Sequence, residues 1–144
     1  MSADIVTIIT ANFESEIPML HDFCVDVCVR GVHYYKVQPD VGTIIDFAPE
    51  TDPISLMHDR YAIAGKTSER KIGHVPKFMS RFVFYFLRHG GTVTGRVIGG
   101  QEYSYDLAQG GLQIPVKYSF EGPASVVKVL KANVERLIEE HTVA

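Results

Sequence analysis

The chain has 144 residues, of which 46% are hydrophobic and 22% are charged, and its formal net charge is −3. This size and composition predict a single soluble globular domain, residues 1–144, around one hydrophobic core. The negative net charge argues against a protein that coats nucleic acid without specificity, because phosphate neutralisation supplies most of that affinity. The longest apolar stretch, Phe82 to Leu87, is far shorter than the roughly 18 residues that a membrane span needs, so no membrane contact is expected.

The elements predicted along the chain are mostly short strands separated by glycine and proline turns. Seven segments are rich in β-branched or aromatic residues, which favour strands. These segments are Ile5 to Thr10, Phe23 to Arg30, Gly42 to Phe47, Tyr61 to Ala64, Lys71 to His74, Thr92 to Ile98 and Gln113 to Phe120. Turns this frequent favour a small barrel or a curled sheet.

Two segments carry helical spacing instead. Lys77 to His89 lies between Pro76 and Gly90, and Ala124 to His141 closes the chain. The predicted core face of the first helix carries the aromatic residues Phe78, Phe82, Tyr85 and Phe86. Its basic residues Lys77, Arg81 and Arg88 are predicted to share another face.

The N-terminus and the cysteines indicate the compartment. The chain opens Met-Ser-Ala-Asp with no basic region, so Ile5 to Thr10 is interpreted as a strand and not as a secretion signal. Cys24 and Cys28 lie four residues apart on one predicted strand, too far along the chain to bridge easily. We therefore expect reduced thiols in an intracellular protein, either nuclear or cytoplasmic.

Charge is distributed unevenly. Met1 to Asp59 contains ten acidic residues against Arg30 and Lys36, whereas Arg60 to Arg96 contains eight basic residues against Glu69. This asymmetry favours a local positive patch. The alternative is two solvated surfaces of opposite sign.

Sequence motifs for catalysis are absent. No phosphate-binding loop, dinucleotide-binding turn, nucleophile elbow or zinc-protease helix occurs in the chain. His21, Cys24 and Cys28 lack the tight pairs and the fourth ligand of a structural zinc site. We therefore expect a protein that is not an enzyme and has neither metal nor cofactor, and a metal-dependent or thiol enzyme is the most remote alternative.

Four short motifs occur in a fixed order. They are Gly31-Val32-His33-Tyr34-Tyr35, then His58-Asp59-Arg60-Tyr61-Ala62-Ile63, then Ile72-Gly73-His74-Val75-Pro76-Lys77, and finally Ile114-Pro115 followed by Phe120. Together they resemble the HIRAN domain, over roughly Val29 to Gly122. The resemblance implies a mostly β (α+β) fold, a small antiparallel OB-like or SH3-like barrel with two flanking α-helices. It also implies a module that binds single-stranded DNA at a free 3′ end.

The resemblance implies roles for eight residues in nucleic-acid binding, namely His33, Tyr34, Tyr35, His58, Asp59, His74, Lys77 and Phe120. Tyr34 and Tyr35 are predicted to point to opposite faces of a strand, so that one ring can stack on a base. Asp59 is a carboxylate that can accept a hydrogen bond from a terminal 3′-hydroxyl. His74 and Lys77 are predicted at the start of the basic helix, where a phosphate is favoured. His33 occupies the position of a phosphate-binding arginine, and Phe120 matches an aromatic residue near the bases.

A protein-interaction or scaffolding module on the same barrel is the alternative function. It is consistent with the acidic N-terminal third, and also with Leu56 and His58, which stand where DNA-binding members carry an asparagine and an aromatic residue. The segment Tyr103 to Pro115 resembles short stand-alone HIRAN-like chains and has no assigned role. The oligomeric state, the pathway and the choice between DNA and RNA stay open.

Overall fold

The computed structural model of the protein describes residues 20–35, 38–68, 70–103 and 111–142. These ranges contain seven strands and four helical segments. The strands are β1 (Leu20–Arg30), β2 (Ile44–Pro49), β3 (Ile63–Thr67), β4 (Arg70–His74), β5 (Thr92–Val97), β6 (Glu102–Tyr103) and β7 (Leu112–Pro123). The helices are α1 (Val32–Tyr35), α2 (Pro53–His58), α3 (Lys77–Arg88) and α4 (Ala124–Thr142).

Six of these strands close into an antiparallel barrel. The order around the barrel is β1-β4-β3-β2-β5-β7, and β7 pairs back with β1. The short strand β6 pairs with the first two residues of β7. It lies on the same edge of β7 that pairs with β5 from Val116 onward. This confirms the mostly β antiparallel barrel expected from the sequence.

The two seams that join β1 to its neighbours differ in length. Eleven residue pairs connect β1 with β7, from Leu20↔Pro123 to Arg30↔Gln113. One residue pair, Arg30↔His74, connects β1 with β4. The barrel is therefore tightly closed on one side of β1 and barely closed on the other.

Side-chain alternation along β7 fills the barrel. Ile114, Val116, Tyr118 and Phe120 are all buried, as strand geometry requires when every second residue faces inward. The Tyr118 hydroxyl donates a hydrogen bond to the Cys28 carbonyl over 2.6 Å. Burial raises the pKa of Tyr118 well above its usual value, so this phenol stays protonated.

Helices α3 and α4 lie where the sequence predicts them, with ends shifted by one residue. The predicted aromatic core face of α3 is wrong at Tyr85, which is 48% exposed. The buried face instead consists of Met79, Ser80, Val83 and Phe86, with Phe78 and Phe82 partly buried beside it.

Six predicted strands are confirmed with small shifts at their ends, and the seventh, Ile5 to Thr10, lies outside the described residues. The prediction that Tyr34 and Tyr35 lie on a strand is wrong. Gly31 adopts a φ of 80°, which ends β1, and the chain then forms the single helical turn α1. Helix α2 is absent from the prediction, although Asp52 caps it and Pro53 begins it, a pairing typical of helix starts.

Candidate nucleic-acid interface

A pocket of about 510 Å³ opens beside the short β1–β4 seam. Its walls come from separate elements: Tyr35 from α1, His58 and Asp59 from the end of α2, His74 from β4 and Lys77 from the start of α3. Five residues predicted from the sequence to bind nucleic acid therefore line one cavity. The volume lies in the range of ligand-binding pockets.

Asp59 is held in place by two donors from the protein itself. The Tyr61 backbone N–H donates to Asp59 Oδ1 over 2.9 Å, and the Ser80 hydroxyl donates to Asp59 Oδ2 over 2.6 Å. The bond from Ser80 connects the end of α2 to the core-facing side of α3. The carboxylate is thus oriented before any ligand arrives, and it does not need a ligand hydroxyl to be tolerated there.

A second carboxylate, Glu50, lies buried behind the pocket wall. Glu50 Oε2 accepts hydrogen bonds from Lys71 Nζ over 2.6 Å and from His74 Nε2 over 2.5 Å, while Oε1 accepts from the backbone N–H groups of Thr51 and Asp52. Burial raises the pKa of Glu50, but the bonds from Lys71, the Asp52 N–H, His74 and the Thr51 N–H outweigh it and lower this pKa to about 2. Glu50 is therefore ionised at neutral pH.

The Glu50 cluster positions the aromatic wall of the pocket. The Tyr35 ring centroid lies 5.7 Å from that of His74, and Lys71 Nζ lies 5.5 Å from the centroid of Tyr35. His74 is accordingly bonded to a carboxylate on one side and packed near a ring on the other. It lies at the end of β4 and not, as predicted, at the start of the basic helix.

The remaining predicted site residues lie elsewhere or outside the described side chains. His33 and Tyr34 belong to α1, but their side chains are not described. Phe120 is fully buried and packs on Phe23, Phe86 and Tyr118 at centroid distances of 5.8, 5.7 and 5.9 Å. Its place in the alternation of β7 turns it into the barrel, so it does not line the pocket.

The model of the HIRAN domain family matches residues 22–118, which is more than half of the chain. The chain belongs to the HIRAN domain family. HIRAN domains are known as nucleic-acid-binding modules, and a HIRAN domain is a binding module and not a catalytic one.

Solved HIRAN structures share this fold. The crystal structure of the HIRAN domain of human HLTF superposes with a TM-score of 0.60 at 17% identity, over 79% of this chain and 88% of that one. The NMR structure of the HLTF HIRAN domain gives a TM-score of 0.61 at 16% identity, over 86% of this chain and 96% of that one. No curated protein sequence matches the chain.

Several pocket residues of this HIRAN domain were not identified from the sequence. Arg30, Asp52 and Ser55 line the cavity, and Ser80 and Glu50 support it from behind. The Asp52-Pro53 dipeptide could have revealed helix α2 of the wall, since it is a helix-start signal. Nothing in the sequence distinguishes Glu50 from the other acids around it.

The lining of the HIRAN pocket carries both signs of charge. Arg30 and Lys77 supply positive charge, and Asp52 and Asp59 supply negative charge. Asp52 is engaged with its own helix, because Oδ2 accepts from the Ser55 hydroxyl over 3.1 Å. Among the described residues, no three His, Cys, Asp or Glu side chains are grouped to hold a metal ion. No helix in the described ranges has the length and apolar character needed to cross a membrane.

Proposed function

We propose that this HIRAN domain binds single-stranded DNA and holds a free 3′ end in the pocket beside the β1–β4 seam. The observation that carries the proposal is the convergence of Tyr35, the adjacent pair His58 and Asp59, and Lys77 on one cavity from three places in the sequence. Together these residues provide a ring to stack on, a hydrogen-bond acceptor and a cation, which are the groups a terminal nucleotide requires.

Asp59 is the residue that selects a free 3′ end over an internal nucleotide. Two ionised carboxylate oxygens accept about four hydrogen bonds, and the protein uses one on each oxygen. The unused acceptor positions can receive a 3′-hydroxyl, which an internal nucleotide does not possess. A 3′-phosphate at the same place would be repelled by the negative charge.

Lys77 and Arg30 are the pocket cations for the backbone phosphate. Lys77 is the first residue of α3, whose N-cap residue, Pro76, makes no side-chain hydrogen bond to the helix. Free N–H groups and the positive end of the helix dipole favour an anion there. His74, in contrast, is bonded to Glu50, so we assign it to positioning the wall and not to phosphate binding.

The test compares one short oligonucleotide with a 3′-hydroxyl or with a 3′-phosphate, by fluorescence anisotropy at fixed salt. We expect the 3′-hydroxyl strand to bind about tenfold more tightly, because a hydrogen bond to a charged group contributes about 1.5–3 kcal/mol. In Asp59→Asn the preference should fall below about threefold, since the charge is removed. Asparagine can still accept from the Tyr61 N–H, and Ser80 can still donate to the Lys77 carbonyl, 3.1 Å away.

Asp46→Asn is the matched control, because Asp46 is an exposed aspartate on β2 outside the pocket and loses the same charge. It should keep the full preference. Equal affinity of the native protein for both strands would remove end recognition from the function. Absence of binding to either strand would overturn the proposal as a whole.

Protein binding is the second candidate function, and one observation favours it. An apolar cleft of about 460 Å³ runs between α3 and α4, lined by Phe82, Val126, Val129 and Leu130 among others. Val129 is 63% exposed, which is high for an apolar residue on the wall of a cleft. This cleft lies on the helical layer and not in the polar pocket, so Asp59→Asn should leave any partner bound there unaffected.

A further inference from the structure

Helix α3 presents one continuous exposed stripe that begins at the pocket. Lys77, Arg81, Tyr85 and Arg88 follow each other at spacings of four, four and three residues, and all four are exposed. These spacings place them in one row along the helix. We call this row the α3 stripe; its composition is three cations and one aromatic ring.

An aromatic pair lies beside the middle of the α3 stripe. The Tyr61 ring centroid lies 5.8 Å from that of Tyr85 and 5.3 Å from that of Phe84. The Arg60 guanidinium lies 4.9 Å from the Tyr61 ring centroid and donates to the Tyr61 hydroxyl over 2.8 Å. Hydrogen bonds from the Tyr85 hydroxyl and then from Arg60 lower the pKa of Tyr61. The two tyrosines and Arg60 therefore hold one another in a fixed arrangement.

The arginines of this surface lie beside aromatic rings. Within the described ranges, Arg60, Arg81 and Arg88 form no ion pair with a carboxylate. Arg81 and Arg88 instead lie 5.0 and 5.7 Å from the ring centroids of Phe82 and Phe84. A row of cations next to the exposed ring of Tyr85 and the half-buried ring of Tyr61 matches a polyanion that also carries flat aromatic groups.

The α3 stripe is continuous with the pocket at two points. Lys77 belongs to both, and Arg60 and Tyr61 directly follow Asp59 in the chain. From Lys77 to Arg88 the helix rises about 16 Å, at about 1.5 Å per residue. That length corresponds to about five nucleotides at the stacked spacing of about 3.4 Å.

We propose that the α3 stripe, together with Arg60 and Tyr61, binds the internal nucleotides of a DNA single strand whose 3′ end lies in the pocket. The arginines contact successive phosphates, and Tyr61 and Tyr85 stack on bases. This inference rests on the proposed function, because the pocket fixes where the strand begins. It adds a length requirement that the pocket alone does not create.

The test measures Kd for 3′-hydroxyl strands of three and ten nucleotides, using the native chain and the double variant Arg81→Gln, Arg88→Gln. Glutamine retains much of the side chain over Phe82 and Phe84 while removing the charge. In the native protein we expect the ten-nucleotide strand to bind at least tenfold more tightly than the three-nucleotide strand. In the double variant that gain should be lost, and the salt slope for the longer strand should fall by about 1.4. The three-nucleotide strand should bind both proteins equally.

The double variant Lys117→Gln, Lys128→Gln is the charge-matched control, since both lysines are exposed and lie on β7 and α4. It should keep the length gain. A length gain retained without Arg81 and Arg88 would overturn this inference and leave the pocket function intact. Binding that depends on both arginines but shows no 3′-end preference would overturn the pocket function and support the α3 stripe. If neither strand binds, both proposals are overturned. If polyglutamate competes for the α3 stripe as effectively as the ten-nucleotide strand does, the ligand is an acidic protein and not DNA.

Discussion

The two sides of strand β1 are held by different means. Towards β7, eleven backbone pairs and the buried residues of β7 close the barrel. Towards β4 there is one backbone pair, and the carboxylates Glu50 and Asp59 connect the surrounding elements through side-chain hydrogen bonds. A backbone ladder tolerates many side chains, whereas a side-chain network requires particular ones. Beside the weak side of β1, these polar residues therefore connect the elements that form the pocket wall to one another.

The largest effect is expected on the β7 side. Phe120→Ala should lower the free energy of unfolding by about 3–5 kcal/mol, because it leaves a cavity among Phe23, Phe86 and Tyr118. Urea unfolding followed by circular dichroism measures this loss. The folded fraction should bind single strands with unchanged affinity. If Phe120→Ala weakens single-strand binding while the free energy of unfolding stays nearly native, Phe120 contributes to the interface and not only to the core.

On the pocket side, Glu50→Gln should cost about 3 kcal/mol at neutral pH, which corresponds to the lowering of its pKa from 4.5 to about 2. A carboxyl with a lowered pKa stabilises the fold above pH 4.5, and this contribution is lost as the pH falls toward 2. Urea midpoints of the native protein and of Glu50→Gln should therefore converge over that range.

The exposed Glu135 on α4 provides the control for this titration, as Glu135→Gln makes the same chemical change outside the network. Its free energy of unfolding should stay within about 0.5 kcal/mol of the native value at every pH, which is usual for surface changes. A constant gap between Glu50→Gln and the native protein from pH 7 to pH 2 would show that the Glu50 charge is not the stabilising element.

The smallest effect concerns ligand binding at the pocket rim. Lys77→Ala should weaken single-strand binding by about three- to tenfold, and it should reduce the slope of log K against log salt by about 0.7, the value for one phosphate contact to a single strand. Titrations at several salt concentrations measure both quantities. Lys128→Ala, on the exposed side of α4, should change neither. An unchanged slope in Lys77→Ala would make Lys77 an ordinary solvated helix residue.

The sequence predicts the barrel side of this comparison well and the pocket side less well. Segments rich in β-branched and aromatic residues, separated by turn glycines and prolines, locate the long strands, because these signals are local. The helical turn α1 after β1 is predicted wrongly as a strand, because the sequence does not show that Gly31 has a positive φ. Tyr85 fits the periodicity of a core face, but the barrel selects the neighbouring face with Met79 and Val83.

The sequence does not predict hydrogen bonds between side chains that lie far apart along the chain. Glu50 bonds to Lys71 and His74, which lie 21 and 24 residues further along the chain. Asp59 was identified through a motif, yet its bond to Ser80 depends on how α3 packs on the barrel. The motifs therefore located most pocket residues, while the network that orients them required the structure.

The single-pair seam between β1 and β4 has a consequence for local opening. Few backbone hydrogen bonds must break to separate these strands, so amide hydrogens there should exchange with solvent through openings that cost much less than global unfolding. Arg30 belongs to β1 and Lys77 follows β4. A phosphate that contacts both side chains would therefore connect the two strands and stabilise their pairing. Bound DNA should then slow exchange along β4, while the β1–β7 ladder, already closed by eleven pairs, should change little.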